Sequence, residues 1–303
     1  MCNAASDYMY EQYYSLIEPP FSLTPDPKYF YRSESHDRAF ELLQYAIQRR
    51  EGFMIVYGDI GTGKTTLCRA VLDAIEKDVY TALLLNPFLT ELDLMKAILM
   101  DFAVTDFAVP VPNSTSKQDL LNALNKFLIS VSQTDARAVL IIDEAQNIPL
   151  ATLEQIRIIS NLETHNAKLL QIVLVGQLEL RDLLAKPELR QLHQRISIKC
   201  ELTPLSAEEV SQYIRHRLAI AGGGQTGIIF TADGLKEIYN YSGGIPRLIN
   251  LIADRSLLAG MALSTTTMDR RVVREAVENL QLKKPKSSFG KLWPFRAWSA
   301  RTK

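Results

Sequence analysis

One eight-residue stretch constrains the fold of this chain more than any other. Residues 58–65 read Gly-Asp-Ile-Gly-Thr-Gly-Lys-Thr, which fits the pattern G-x-x-x-x-G-K-[ST]. Residues 53–57 are short, apolar and partly β-branched, which predicts a buried strand, and residues 64–72 carry apolar side chains at helical spacing. A strand, a glycine-rich turn and a helix in this order favour a phosphate-binding P-loop over a chance glycine-rich turn that holds a lysine.

The chemistry of a triphosphate explains the spacing within this stretch. Successive backbone N–H groups and a helix N-terminus can bind its closely spaced anionic oxygens, provided that no Cβ atom blocks the backbone. Three glycines remove that obstacle and permit positive φ. Lys64 is predicted to reach the β- and γ-phosphates, and the Thr65 hydroxyl is predicted to ligate Mg²⁺. The predicted nucleotide-binding set is Gly58, Asp59, Ile60, Gly61, Thr62, Gly63, Lys64, Thr65 and Thr66.

A second motif lies about 80 residues downstream. Residues 138–142 form a continuous apolar run, typical of a strand buried on both faces of a parallel sheet, and Asp143 and Glu144 follow directly. Asp143 is predicted to hold hydrated Mg²⁺ beside the P-loop threonine. Glu144 is predicted to act as general base toward the attacking water, the alternative being a solvated acidic turn. Gln177 follows the next apolar strand, where it either orients the water or γ-phosphate or caps a helix.

The order of predicted elements indicates the fold class. Strands alternate with helices across residues 53–202, which predicts an α/β domain with a parallel sheet and flanking helices. After Pro204 only helices are predicted, separated by glycine-rich segments. The aromatic and proline-rich N-terminus predicts a short helix and an extended arm that either braces the core or walls a nucleotide base. The predicted division is 1–32 for the arm, 33–203 for the α/β domain, 204–282 for the helical domain and 283–303 for the tail.

Charge is distributed unevenly along the chain, although the formal net charge is zero. The last 21 residues hold seven basic side chains and no acidic one, and the preceding 282 hold 27 basic and 34 acidic ones. Basic residues interleaved with aromatics suit a membrane surface or nucleic acid, and a disordered solubilising tail is the alternative. The three cysteines are far apart, which favours a reducing compartment. With no apolar run of 18 residues and no basic n-region, the predicted location is the cytoplasm, with peripheral contact at the inner membrane left open.

These motifs together resemble an AAA+ ATPase. More narrowly, they resemble the ATPase domain of the general secretion pathway protein A group, the ExeA type, which includes ATPases of mannose-sensitive pilus biogenesis. The resemblance covers about residues 10–280 and is carried by Tyr13-Tyr14-Ser15-Leu16, Pro20-Phe21-Ser22-Leu23-Thr24-Pro25-Asp26-Pro27, Ile141-Ile142-Asp143-Glu144-Ala145-Gln146-Asn147, Val175-Gly176-Gln177 and Gln194-Arg195-Ile196. The arm together with Asp-Glu-Ala-Gln is the selective part, since a very large superfamily shares the two nucleotide motifs.

The resemblance implies roles for further residues. It implies that Gln177 acts as sensor 1 and that Arg247, within Gly-Gly-Ile-Pro-Arg, acts as sensor 2 and contacts the γ-phosphate from a helical lid. It places an arginine finger at Arg190 or Arg195, supplied to the site of a neighbouring subunit. A guanidinium fork can stabilise the charge that spreads over the phosphoryl oxygens. The alternative for each arginine is a surface ion pair, and Arg190 and Arg195 are not separated.

The implied ligands are ATP and Mg²⁺, and the implied assembly is a homo-oligomer, a ring or dimer that forms on ATP binding. The leading hypothesis is an ATP-hydrolysing motor that helps to assemble an envelope machine of type II secretion or type IV pilus kind, with envelope or pilus assembly proteins as partners. Related ATPases serve as transposition regulators on DNA, so a DNA-bound regulator is the second hypothesis. A nucleotide-gated scaffold with little turnover is the third, and Glu144 disfavours it.

Overall fold

A five-stranded parallel sheet forms the centre of the protein, in the strand order β2-β3-β4-β1-β5. The computed structural model describes residues 9–75, 78–85, 87–105, 116–163, 168–223 and 227–284. The strands are β1 (Phe53–Gly58), β2 (Val79–Leu84), β3 (Arg137–Ile142), β4 (Gln171–Gly176) and β5 (Ile198–Leu202). Because β3, β4 and β1 are neighbours and parallel, their carboxyl ends bring Asp143, Gln177 and the P-loop to one edge. The predicted parallel α/β sheet is confirmed.

Helices cover both faces of this sheet, because alternate strand side chains point to opposite sides. In β1, Phe53 and Ile55 belong to a core shared with the helices of residues 91–184, whereas Met54 and Val56 belong to a core shared with the helices of residues 34–74. This two-sided burial explains why the central strands are continuous apolar runs. The helices are α2 (Glu34–Gln48), α3 (Lys64–Ala74), α4 (Glu91–Thr105), α5 (Lys117–Gln133), α6 (Leu150–Ile159), α7 (Leu178–Leu184) and α8 (Arg190–His193).

The part that follows the sheet is helical, as predicted. It contains α9 (Ala207–Ala221), α10 (Ala232–Ser242), α11 (Pro246–Ala262) and α12 (Arg270–Asn279), and we call residues 204–282 the lid. One detail differs from the prediction of helices alone. Two short strands, β6 (Ile229–Phe230) and β7 (Thr267–Met268), pair in parallel within the lid. Two residues are too few to show the alternation that identifies a strand in sequence.

The N-terminal arm packs on the lid, with α1 (Met9–Tyr13) first and a 3₁₀ turn at Pro27–Tyr29. Its buried side chains share one apolar core with α9 to α12: Tyr14, Leu16, Phe21 and Tyr29. The Tyr14 hydroxyl donates to the Leu257 carbonyl at 3.0 Å. The arm therefore braces the lid. The division of the chain into domains at residues 32, 203 and 282 stays a prediction.

Some predicted features lie outside the described residues. These are most of the loop at 105–115 and residues 285–303 of the basic tail. Within the described ranges, no helix combines the length and the apolar character needed to cross a bilayer. Cys68 and Cys200 are buried free thiols, and burial raises the pKa of both.

Candidate active site

The P-loop between β1 and α3 is shaped by two glycines in left-handed conformation. Gly61 has φ +80° and Gly63 has φ +98°. A Cβ atom on Gly61 would lie 2.7 Å from Cβ of Arg247, and one on Gly63 would lie 3.1 Å from Nε2 of His36. Both positions therefore require glycine for the backbone turn and for the close approach of the lid and of α2. The positive φ was predicted from the sequence, whereas the contacts with Arg247 and His36 were not.

Lys64 is the first residue of α3, and its ammonium group is buried within the loop. Nζ donates to the carbonyl oxygens of Gly58 at 3.0 Å and Asp59 at 2.8 Å. These bonds use two of its three N–H donors, which leaves one for a phosphate oxygen. Burial lowers the pKa of Lys64, and the carboxylates of Glu144 and Asp143 oppose that shift.

Thr65 and Asp143 meet at the predicted magnesium position. The Thr65 hydroxyl donates to Asp143 Oδ2 at 2.6 Å, and Asp143 Oδ1 accepts from the Glu144 backbone N–H at 2.8 Å. A hydroxyl and a carboxylate are hard oxygen ligands of the kind that Mg²⁺ prefers. The described ranges hold no cluster of three or more His, Cys, Asp or Glu side chains suited to a metal. The residues present fit Mg²⁺ that takes its other ligands from phosphate oxygens and water.

Glu144 sits directly after Asp143 in left-handed conformation, with φ 52° and ψ 35°. Its Oε2 accepts from Gln146 Nε2 at 2.6 Å and from Gln177 Nε2 at 3.1 Å, and Gln146 Oε1 accepts from the Gln177 backbone N–H at 3.0 Å. The Gln177 side chain makes no cap bond to α7 and instead donates to the carboxylate of the predicted base. Gln146 was missed as a site residue, and Gly176 leaves room for it, because a Cβ there would lie 2.7 Å from Gln146 Oε1.

The three candidate arginines lie in different settings. Arg247 is the second residue of the lid helix α11, donates its backbone N–H to the Gly61 carbonyl at 3.1 Å, and lines the cleft above the P-loop. Arg190 and Arg195 are exposed and do not line that cleft. Arg195 donates to side-chain oxygens of Ser160 and Asn161. The structure therefore brings Arg247 to the P-loop, and the finger role of Arg190 or Arg195 stays a prediction.

The cleft above the P-loop has three walls, formed by the arm, the P-loop and the lid. The arm was predicted either to brace the core or to wall a nucleotide base; it packs on the lid helices and also lines this cleft. The lining residues are Ser22 to Asp26 and Tyr29 to Tyr31 from the arm, His36, Ile60 to Thr66 from the P-loop, Glu144 and Gln177 from the sheet edge, and Leu205, Tyr213, Arg217, Pro246, Arg247 and Asn250 from the lid. Gly58 and Asp59 of the predicted nucleotide-binding set do not line it. They support Lys64 instead.

His36 is a second site residue that the sequence argument missed. It is buried in the first turn of α2, and Nε2 lies 2.8 Å from the Thr62 carbonyl oxygen in the P-loop. A histidine after a helix-capping serine carries no sequence signal that links it to a loop 26 residues later. Only the packing of α2 against α3 brings the two together.

Comparison with known proteins indicates the family. A family described as "AAA domain" matches residues 47–184. The "General secretion pathway protein A" of Aeromonas hydrophila is 44% identical over 254 residues, which cover 84% of this chain. Residues 47–184 therefore match an AAA domain, and over most of its length this chain is similar to a general secretion pathway protein A. The match spans 45% of the length of that relative, a little less than half.

Solved structures of other AAA+ proteins share the fold at low sequence identity. The ORC2 protein of Aeropyrum pernix, in a structure of ADPNP–ADP complexes, has a TM-score of 0.63 at 16% identity and covers 86% of this chain and 72% of its own. Cdc6p from Pyrobaculum aerophilum has a TM-score of 0.65 at 16% identity, with 87% and 71% covered. The RuvB Holliday junction branch migration motor of Thermotoga maritima has a TM-score of 0.53 at 18% identity, with 82% and 70% covered. These likenesses support the fold.

Proposed function

We propose that this chain binds Mg·ATP in the cleft and hydrolyses it. One observation carries the proposal: at the sheet edge that bears Lys64 and the Thr65–Asp143 pair, the Glu144 carboxylate is held by two glutamine amides. A carboxylate fixed beside a phosphate-binding loop is suited to accept a proton from an attacking water. If Asp143 and Glu144 formed only a solvated acidic turn, water would satisfy the Glu144 carboxylate and the two amide hydrogen bonds would not be needed.

Each residue then has a defined task. The free N–H donor of Lys64 and the backbone N–H groups of the P-loop bind the β- and γ-phosphates. Thr65 and Asp143 hold Mg²⁺, which neutralises charge on the phosphate oxygens when it is bound. Glu144 accepts the proton of the attacking water, and the Gln177 amide orients that carboxylate. Arg247 contacts the γ-phosphate from the lid.

We further propose that the active form is a homo-oligomer, a ring or dimer in which Arg190 or Arg195 completes the neighbour's site. Both side chains are exposed and lie outside their own cleft, as an arginine supplied in trans requires. The ATPase rate per subunit should then rise steeply with protein concentration. A rate per subunit that is independent of concentration would contradict a shared site.

Two variants test the hydrolytic assignment. Lys64→Ala should abolish ATP binding in calorimetric titration. Glu144→Gln should bind ATP with the wild-type affinity and lose turnover by about 100-fold or more, because only the proton acceptor is removed. A Glu144→Gln variant that hydrolyses ATP at the wild-type rate would show that Glu144 is not the base. Near-zero turnover of the wild-type chain, with and without partners, would favour the nucleotide-gated scaffold.

The biological role that we propose is assembly of an envelope machine of type II secretion or type IV pilus kind. The 44% identity to a general secretion pathway protein A supports it. We propose that the protein acts at the cytoplasmic side of the inner membrane, with the basic and aromatic segment 283–303 in contact with the membrane surface.

The second candidate is a DNA-bound regulator of transposition type, which the seven basic residues of 283–303 favour. It predicts ATP-dependent assembly on duplex DNA and an affinity that falls steeply with salt. ATPase activity measured with and without duplex DNA separates the two. Stimulation by DNA would favour the regulator, and an unchanged rate would favour envelope assembly.

A further inference from the structure

A single buried histidine connects the first turn of α2 to the P-loop. His36 is 4% exposed. Its Nδ1 lies 2.6 Å from the Ser33 hydroxyl oxygen, and its Nε2 lies 2.8 Å from the Thr62 carbonyl oxygen. Ser33 is also the N-cap of α2, and the ring of Phe30, which lines the cleft, lies edge-on to the imidazole. The imidazole therefore has fixed partners on both nitrogens.

These partners determine which nitrogen carries the proton. A carbonyl oxygen only accepts hydrogen bonds, so Nε2 must be the donor to Thr62. In the neutral ring Nδ1 is then an acceptor, and the Ser33 hydroxyl donates to it. Burial lowers the pKa of His36, while the bond to Thr62 and the charge of Glu209 oppose that shift. The ring is therefore neutral at neutral pH, with one donor and one acceptor, as its two partners require.

The bond to Thr62 sets the direction of the next peptide N–H. In a planar trans peptide the C=O of one residue and the N–H of the next point in opposite directions. His36 holds the Thr62 carbonyl on the side of α2, so the N–H of Gly63 is turned away from α2. Gly63 lines the cleft, and the imidazole lies so close that a Cβ on Gly63 would be 3.1 Å from Nε2.

We propose that His36 is a positioning residue for phosphate binding: its Nε2–H fixes the Thr62–Gly63 peptide so that the Gly63 N–H faces the phosphates. This inference rests on the proposed function, in which the P-loop binds a nucleoside triphosphate. A fixed loop binds with less loss of conformational entropy than one that must be ordered by the ligand. Removal of the Nε2 donor should therefore weaken ATP and ADP binding.

Two substitutions separate this bond from a general packing role. In His36→Gln the amide nitrogen stands the same number of bonds from Cβ as Nε2 does and can donate to Thr62. In His36→Asn the shorter side chain matches the position of Nδ1, can accept from Ser33 and cannot reach Thr62. His193→Asn is the matched control, because His193 is exposed and contacts Lys199 away from the cleft.

Calorimetric titration with ATP and with ADP is the measurement, with the melting temperature of each nucleotide-free variant alongside. His36→Asn should weaken both affinities about tenfold, the effect of about one buried hydrogen bond, and His36→Gln should stay within about threefold of wild type. His193→Asn should bind like wild type. Equal affinities for His36→Asn and wild type would overturn the inference. It would also be overturned if His36→Asn and His36→Gln lowered the nucleotide affinity equally and lost the same melting temperature.

The same titrations distinguish failure of the inference from failure of the proposed function. A wild-type chain that binds no ATP would refute the proposed function, whatever the histidine variants do. Should His36→Asn not fold, Ser33→Ala replaces it, since it removes the donor that selects the Nε2–H form. It should weaken ATP binding about threefold, and an unchanged affinity there would also overturn the inference.

Discussion

The buried guanidinium of Arg217 is the point at which the arm is held to the lid. Arg217 lies in α9, is 6% exposed, and donates to the Pro20 carbonyl, to the Ser22 carbonyl at 3.3 Å and to the Tyr213 hydroxyl at 2.9 Å. It also lies 4.4 Å from the centre of the Tyr29 ring. We expect Arg217→Met to release the arm and to lower the free energy of unfolding.

The size of this effect follows from the contacts that are lost. A hydrogen bond from a charged donor contributes roughly 1.5–3 kcal/mol, and three such bonds disappear. The ring contact contributes about 1 kcal/mol more. Within the described ranges the buried Arg217 charge has no ion-pair partner, so wild type carries a desolvation cost. The substitution removes that cost, which offsets several kcal/mol of the loss. Methionine keeps most of the apolar stem, so we expect a net loss of about 3 kcal/mol.

Urea denaturation of wild type and variant measures that loss. Arg215→Met is the control, because Arg215 is on the same helix, is exposed, and among the described residues bonds only to Ser211 one turn away. It should change the free energy of unfolding by less than about 0.5 kcal/mol. Limited trypsin digestion adds a local measurement, since cleavage after the exposed Lys28 should accelerate in Arg217→Met alone. A loss below about 1 kcal/mol, or equal cleavage in both variants, would refute the argument that Arg217 holds the arm.

Two further predictions concern the lid and its contact with the P-loop. Burial alone would raise the pKa of Glu237, but hydrogen bonds from Asn240 and from two arginines of α12 lower it to about 2. The ionised carboxylate therefore stabilises the fold fully above the ordinary pKa of 4.5, and this stabilisation is lost as the pH falls toward 2. Glu237→Gln should cost about 2 kcal/mol at pH 7 and flatten the acid dependence of the unfolding free energy between those values, and an unchanged acid dependence would contradict this. Gly61→Ala should weaken ATP binding about tenfold or more in calorimetric titration, because it strains φ +80° and pushes Cβ to 2.7 Å from Cβ of Arg247. The control Gly227→Ala, where a Cβ meets nothing within 4 Å, should bind like wild type, and equal binding by both variants would show that the lid contact is unimportant.

Local patterns were sufficient for most of the fold. The two strands that the sequence bounded, residues 53–57 and 138–142, agree with β1 and β3 within one residue at each end, because each is a short apolar run followed by a glycine or an aspartate. The P-loop, Asp143 and Glu144 were proposed as site residues on the same kind of pattern, since each stands at a fixed distance from a strand end. Their placement at one edge of the sheet followed from the parallel order of strands.

Other features of the site left little trace in the local sequence. Gln146 belongs to the Asp-Glu-Ala-Gln stretch, but its two bonds to Glu144 and Gln177 depend on how β3 and β4 are placed side by side. The sequence did not decide whether the arm braces the core or walls a nucleotide base. The arm reaches the cleft because it packs against the lid. Whether Arg190 or Arg195 serves a neighbouring subunit depends on an assembly that a single chain does not contain.

Three features could be read from local sequence: the strand–loop–helix of the P-loop, the carboxylates that follow β3, and the change from an α/β pattern to a helical one. These rest on hydrophobic period and on residues that neighbour one another along the chain. Tertiary structure alone decided that His36 holds Thr62, that Arg217 holds the arm, and that Tyr10 donates to Asp254 across 244 residues. Such bonds join groups far apart in sequence and leave no periodic pattern along the chain, so they become visible only when packing has brought the elements together.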